Sequence, residues 1–205
     1  INLEQAWKTY GNGNHDTIVA MIDTGIDYTH EDLKDTLWVN TDEIPGNGID
    51  DDGNGYVDDV YGWNFYNNNN QIFTGEEDSH GTHGAGTISA GTGNGIGIAG
   101  IVPGNRVRVM ALKALGGTDG GGSTAAVIKA IRYAEDNGAV ICNLSLTSTV
   151  DDKALYEAMK NSSMLFVVAA GNGNPKTGKG VDTDAIPFYP AAYDLDNIIS
   201  VANLS

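Results

Sequence analysis

Between residues 107 and 170 the chain runs strand, helix, strand, helix, strand, and few folds accommodate that order. Val107–Leu112 (VRVMAL), Ala139–Leu146 (AVICNLSL) and Leu165–Ala170 (LFVVAA) are for the most part apolar continuously rather than alternately. That pattern suits parallel strands buried on both faces. Ser123 is placed to cap a helix from Thr124 to about Asn137, with Val127, Ala130, Ile131 and Ala134 on one face and Gly138 as its stop. Asp151 or Asp152 opens a second helix through Ala154, Leu155, Ala158 and Met159. Thr17–Ile22 and Ile198–Asn203 read as further strands, and Leu3–Tyr10 as a short helix. The expectation is a three-layer α/β fold with a mostly parallel sheet, whose chemistry gathers at the carboxyl ends of the strands.

The 205 residues contain no internal repeat and no linker-like stretch, so one domain is expected over 1–205. Acidic side chains outnumber basic ones 27 to 11, for a formal charge of -16. Nucleic acid and anionic membranes, which need clustered Lys and Arg, are excluded as expected partners, whereas cations and basic substrates suit this charge. The single cysteine, Cys142, lies within a strand and leaves no internal disulfide. No stretch approaches the roughly 18 consecutive apolar residues of a membrane span. No basic-then-apolar signal opens the chain, so a soluble chain is expected, any export signal having been removed or lying outside it. Two Gly- and Asp-rich loops, 40–78 and 171–197, interrupt the pattern, and loops that long are usually functional or stabilised by an ion.

Three fragments can carry chemistry. Asp23, in MIDTGID, directly follows a buried strand, where its carboxylate faces a crevice or serves as a turn residue. His80, in DSHGTHGAGT, stands at a loop-to-helix junction. The helix dipole there disfavours imidazolium unless a carboxylate offsets it, and Asp23 could be that carboxylate. His80 and His83 could instead be a surface pair or a partial metal site, but no spaced third ligand makes zinc persuasive. Asn172, in FVVAAGNGN, lies just past another strand, where an amide can donate to a developing oxyanion or can simply be turn chemistry.

In that order, DTGID, HGTHGAGT and AAGN resemble the subtilisin-like serine proteases, the subtilases, from about Ile1 to the end of the chain. The resemblance implies a subtilisin-like fold and peptide-bond hydrolysis by acyl transfer with an Asp-His-Ser triad. Asp23 would orient the histidine, His80 would act as general base and then acid, Asn172 would be the oxyanion donor, and His83 would be structural. It implies an extended polypeptide substrate paired between Gly120-Gly121-Gly122 and Ser145-Leu146, with Ala169 to Gly171 lining the pocket for the residue before the scissile bond. Thr147 and Ser148 stand where the family usually has glycines, or a bulky residue and Gly, and they narrow or block that pocket.

The family's nucleophile lies in a Gly-Thr-Ser-Met-Ala-like block downstream of AAGN, and no such block occurs in these residues. The expected fold is therefore a subtilase core lacking its C-terminal part and short at the N-terminus. The preferred reading is a piece or one chain of a protease whose remainder is a second partner. The alternative is a non-catalytic, calcium-stabilised peptide-binding module. On either reading these residues alone lack the group that His80 would deprotonate.

Residues 50–59, DDDGNGYVDD, place oxygen donors at alternating positions: Asp50, Asp52, Asn54, the Tyr56 carbonyl and Asp58, with Gly55 at the sharp turn. This is the start of a calcium loop. Tyr61 stands where the closing Glu is usual, and Asp59 is the candidate to complete the shell. The resemblance adds a second calcium site at Asp32 and Asn94, with the carbonyls of Ile96 and Ile98. Calcium and the acidic charge together suggest a secreted or extracytoplasmic setting. Gly95–Gly100 fits a dinucleotide fingerprint, but it follows a helix and precedes a strand, so it is rejected. Gly173–Gly180 nearly spells a phosphate loop, but lacks the hydroxyl that holds magnesium and the helix that follows it.

Overall fold

The computed structural model describes residues 2–11, 13, 15–104, 106–174, 176–177 and 179–203. The phosphate-loop-like stretch includes Pro175 and Gly178, which lie outside the described residues. The elements are α1 (Leu3–Tyr10), β1 (Thr17–Asp23), β2 (Gly62–Asn64), α2 (Ser79–Ser89), β3 (Val107–Lys113), β4 (Leu115–Gly116), β5 (Gly121–Gly122), α3 (Thr124–Asp136), β6 (Ile141–Leu144), α4 (Lys153–Lys160), β7 (Leu165–Ala169) and β8 (Ile198–Val201). Six strands form one sheet in the order β2-β3-β1-β6-β7-β8, and every neighbouring pair is parallel. β4 and β5 form a separate antiparallel ribbon. The expected α/β fold with a mostly parallel sheet is the one observed. β2 and the small ribbon arise within stretches that the sequence presents as loop.

β1 lies inside the sheet between β3 and β6, so Val19, Ala20, Met21 and Ile22 are all buried. That is why this run is apolar at every position instead of every second one. On one face, α3 and α4 pack Val127, Ala130, Ile131, Leu155 and Met159 against Ala20, Ile22, Met110, Leu112, Cys142, Leu144, Phe166 and Val168. Each large apolar side chain removed from water there contributes about 1.5–3 kcal/mol. The Ser123 hydroxyl accepts from the Ala126 amide at 3.2 Å and starts α3 as the sequence leads one to expect. On the other face, Ala85 of α2 packs with Val19, Met21, Val107, Val109 and Ala111.

This second face is covered over β1 and β3 but not over β6, β7 and β8. Buried and half-buried residues alternate along β6 and β7, with Ile141, Asn143, Leu165, Val167 and Ala169 on the less covered side. The register sets Ile199 beside Val167 and Val201 beside Ala169, and both β8 residues are 49% exposed. Cys142 is fully buried, and burial alone pushes its thiol up, which suits a core residue.

Candidate active site

β1 ends on Asp23, and α2 carries His80 in its first turn. The His80 ring nitrogen Nδ1 lies 2.7 Å from Oδ1 of Asp23. Asp23 is 1% exposed and accepts a second hydrogen bond on Oδ1, from the Thr24 amide at 2.7 Å. Its other oxygen, Oδ2, is buried without a partner among the described residues. An ionised carboxylate only accepts, so Nδ1 carries the proton and donates. In the neutral imidazole Nε2 is then the lone-pair nitrogen, on a side chain that is 61% exposed.

The two elements are stitched together by more than this bond. The Gly81 amide donates to the Thr24 hydroxyl at 3.1 Å, and the Asp27 amide donates to the Thr82 hydroxyl at 3.0 Å. Position 81 must be Gly, because a Cβ there would lie inside the Gly25 carbonyl. The approach of backbone to backbone is what brings His80 within reach of Asp23.

His80 lines a cleft of about 800 Å³ together with Thr24, Gly120, Gly121, Gly122, Ser145, Leu146 and Asn172. The histidine, the amide and both expected substrate-edge segments thus share one open groove. Asp23 sits behind it and meets the groove through His80. Gly171 lines a smaller depression beside it that shares Asn172, and Ala169 lines neither. Thr147 and Ser148 are on the groove wall as well. The Ser148 and Tyr189 backbones exchange hydrogen bonds, each 2.8 Å, which ties that wall to the loop before β8. Tyr189 and the carboxylates Glu76, Glu77, Asp119 and Asp152 also line the groove. The sequence reading did not include them, because they come from separate loops with no shared motif.

A second constellation lies in the loop between β1 and β2. Carboxylate oxygens of Glu43, Asp52 and Asp59 fall within 4.8 Å of one another. Glu43 and Asp59 are buried, and no Lys or Arg forms a salt bridge with the three among the described residues. Asn40 donates to Asp52 at 3.0 Å and Asp59 at 2.9 Å, Asn54 donates to the same two carboxylates, and the Tyr133 hydroxyl donates to Asp59 at 2.5 Å. Burial of Asp52 opposes its ionisation, but the hydrogen bonds from Asn40 and Asn54 prevail and hold its carboxyl below the usual range. Tyr133 is shifted upward, first by burial and then by the Asp59 hydrogen bond, so it remains a donor.

With Glu43 and Asp59 buried and Asp52 exposed beside them, like charges this close are costly unless a cation offsets them. An all-oxygen donor set suits a hard dication such as Ca2+ better than zinc. These residues could therefore hold a metal. Of the expected ligands, Asp52 and Asp59 belong to this group. Asp50 instead accepts from the Asn54 and Gly55 amides, and Asp58 from the Asn47 and Gly48 amides. The Asn54 side-chain oxygen Oδ1 accepts from the Tyr56 amide, and the Tyr56 ring packs on Trp63, Phe65 and Tyr133. Glu43, Asn40 and Tyr133 were not legible as members, since they come from outside the 50–59 run. At the expected second site Asn94 donates to Asp32 at 2.7 Å, and the Ile98 amide donates to it at 3.1 Å.

Comparison with known proteins matches residues 14–205 to the Subtilase family. Subtilisin-like protease 1 of Plasmodium berghei is 34% identical over 205 aligned residues, covering 94% of this chain and 33% of that protein. The major intracellular serine protease of Bacillus subtilis is 36% identical, covering 91% of this chain and 50% of that protein. A crystal structure of a lanthipeptide protease superposes with a TM-score of 0.61 at 25% identity, covering 97% of this chain and 52% of that one. The chain thus spans about a third to a half of the length of these relatives.

Proposed function

Because the chain belongs to the subtilase family, we propose that it forms the acid-base and substrate-binding part of a serine endopeptidase. The observation that carries this reading is the 2.7 Å pair between His80 Nδ1 and Asp23 Oδ1, set beside a groove that also holds Asn172. Asp23 fixes the tautomer and offsets the imidazolium. His80 Nε2 takes the proton of an attacking serine hydroxyl and returns it to the leaving amine. The Asn172 amide donates to the oxyanion of the tetrahedral intermediate. A polypeptide lies extended between Gly120–Gly122 and Ser145–Leu146, adding a strand to each edge.

The attacking Ser belongs to a further part of the protein, which packs on the half-covered face of β6, β7 and β8. Ca2+ at Glu43, Asp52 and Asp59 would neutralise that loop and fix its path. An extracytoplasmic setting goes with the calcium and with the charge of -16.

A fluorophosphonate probe tests the reading, applied to protein carrying these residues together with the rest of its sequence. The expected result is a mass adduct on a serine, lost in His80→Ala, with kcat in Asn172→Ala lower by about 10²–10³. Absence of an adduct in folded protein that still binds an oligopeptide by calorimetry would point instead to a binding module.

A further inference from the structure

Beneath the Asp23–His80 pair lies a buried charge that the proposed mechanism leaves unused. Lys113 ends β3, stands beside Asp23 in the parallel register, and is 0% exposed. Its ammonium donates to the Thr24 carbonyl at 2.5 Å and to Oδ1 of Asp78, and Glu77 Oε1 lies 3.6 Å away. Asp78 is itself fully buried. Its second oxygen accepts from the Thr74 amide at 2.6 Å and from the Thr74 hydroxyl at 2.9 Å. An ammonium buried this deeply is tolerated only when its partners are close and its protons are used.

The pair joins the two parts that must meet for His80 to work. Thr24 follows Asp23 directly, and Asp78 precedes His80 by two residues, with only Ser79 between. One ammonium therefore grips the end of β1 and the residue from which α2 starts. No Lys or Arg is among the residues that line the groove, whereas carboxylates gather about it. Asp23 lies behind the imidazole, Glu76, Glu77 and Asp78 lie before α2, and Asp119 and Asp152 lie across the groove. The bare Oδ2 of Asp23 adds an acceptor that no donor among the described residues satisfies.

We propose that Lys113 and Asp78 are positioning residues: an internal counter-ion pair that docks α2 onto the end of β1 and balances the charge around His80. Lys113 offsets part of the carboxylate field, so the imidazole is not held protonated where it must be free to accept. Asp78 keeps that ammonium buried and aimed at Thr24. The proposal rests on reading His80 as the base, but its test needs no nucleophile.

The test uses residues 1–205 with ¹³C,¹⁵N-labelled histidine, the His80 ring being assigned by its loss in His80→Gln. Its titration is followed by NMR in the unsubstituted chain, Lys113→Met, Asp78→Asn and the double variant. Lys113→Met should move protonation of His80 to higher pH by about one unit. Asp78→Asn should move it to lower pH by a similar amount, and the double variant should return close to the starting value. Opposite signs with restoration would not arise from a purely structural pair, which would disturb the ring without regard to charge.

If Lys113→Met alone does not fold, the double variant and Asp78→Asn differ by the same ammonium, and His80 should protonate at lower pH in the latter. If neither Met variant folds, Asp78→Asn decides alone. Shifts of the same sign in the two single variants, or no downward shift in Asp78→Asn, would overturn the proposal. A positive outcome here with no fluorophosphonate adduct elsewhere would leave the pair standing and remove the protease reading, so the two failures are distinguishable.

Discussion

Asp152 shows how a single side chain can be both a structural stop and a groove wall. Its Oδ1 accepts from the Ala154 amide at 2.8 Å and from the Leu155 amide at 3.2 Å, which satisfies the open end of α4. These hydrogen bonds, from Leu155 first and then Ala154, hold its carboxyl below the usual range. Asp152→Ala should therefore lower the urea midpoint measurably at pH 7. The difference should vanish once the carboxylate is protonated in acid. A cost unchanged with pH would mean that the carboxylate is not the cap.

Residue-level chemistry was legible for residues at or just past two strand ends. Asn172, two residues past LFVVAA, lines the groove as a residue beyond a strand end is expected to, and Asp23, the last residue of β1, meets the groove through His80. Lys113 was not legible. It closes an apolar run as an ordinary polar residue would, and its burial depends on Asp78, 35 positions earlier. A linear pattern gives the face of a side chain but not its partner across the fold.

At the scale of elements, the 42–59 part of the loop between β1 and β2 is tied together by carboxylate hydrogen bonds, and its stability should follow the occupancy of the acidic centre. Ca2+ should raise the melting temperature and EGTA should lower it. Tyr133→Phe removes the hydroxyl that orients Asp59 from α3, and it should weaken calcium binding by about tenfold in titration calorimetry. A melting temperature indifferent to both calcium and EGTA would show that the three carboxylates hold no ion.

The sequence indicated this region through its alternating oxygens but not its membership. Tyr133 is 74 residues from Asp59, and Glu43 lies outside the 50–59 run. β2 escaped notice because three residues cannot display a period, while the two helices on the other face announced themselves through a cap and an apolar stripe. The overall α/β plan was readable because strands covered on both faces are apolar at most positions, as in TIVAMI and LFVVAA.

Over the whole molecule two charge effects oppose one another in acid. Glu77 is held below the usual carboxyl range chiefly by the Thr74 hydroxyl, with Lys113 assisting, and Glu135 chiefly by the Ser163 amide. Asp152 behaves likewise, and a depressed folded value means that the unfolded chain binds protons first. The stability these groups contribute is present above the reference values of 4.5 for Glu and 3.8 for Asp, and is lost as pH falls through the folded values. Relief of self-repulsion at a charge of -16 works the other way at milder pH. The urea midpoint should hold or rise slightly from pH 7 to 5 and fall below about 4.5. A midpoint still rising at pH 3.5 would show that repulsion dominates.

The half-covered face makes a separate whole-molecule prediction. Ile199 and Val201, each 49% exposed, continue the apolar surface of Ile141 and Val167. Residues 1–205 alone should bind a hydrophobic dye or associate with another chain. A monomer in the ultracentrifuge with no dye binding would contradict this.

Strand order also sets a timetable. β1 is made early, yet its neighbours in the sheet are β3, with Thr17 beside Val107, and β6, with Val19 beside Ile141. Pairings so distant along the chain close slowly and late. When synthesis stands at residue 100, Asp23 and His80 have both been made without the strand that carries Lys113. The Asp23–His80 pair therefore waits on strands made later, and the two side chains are held together only when the sheet around β1 is complete.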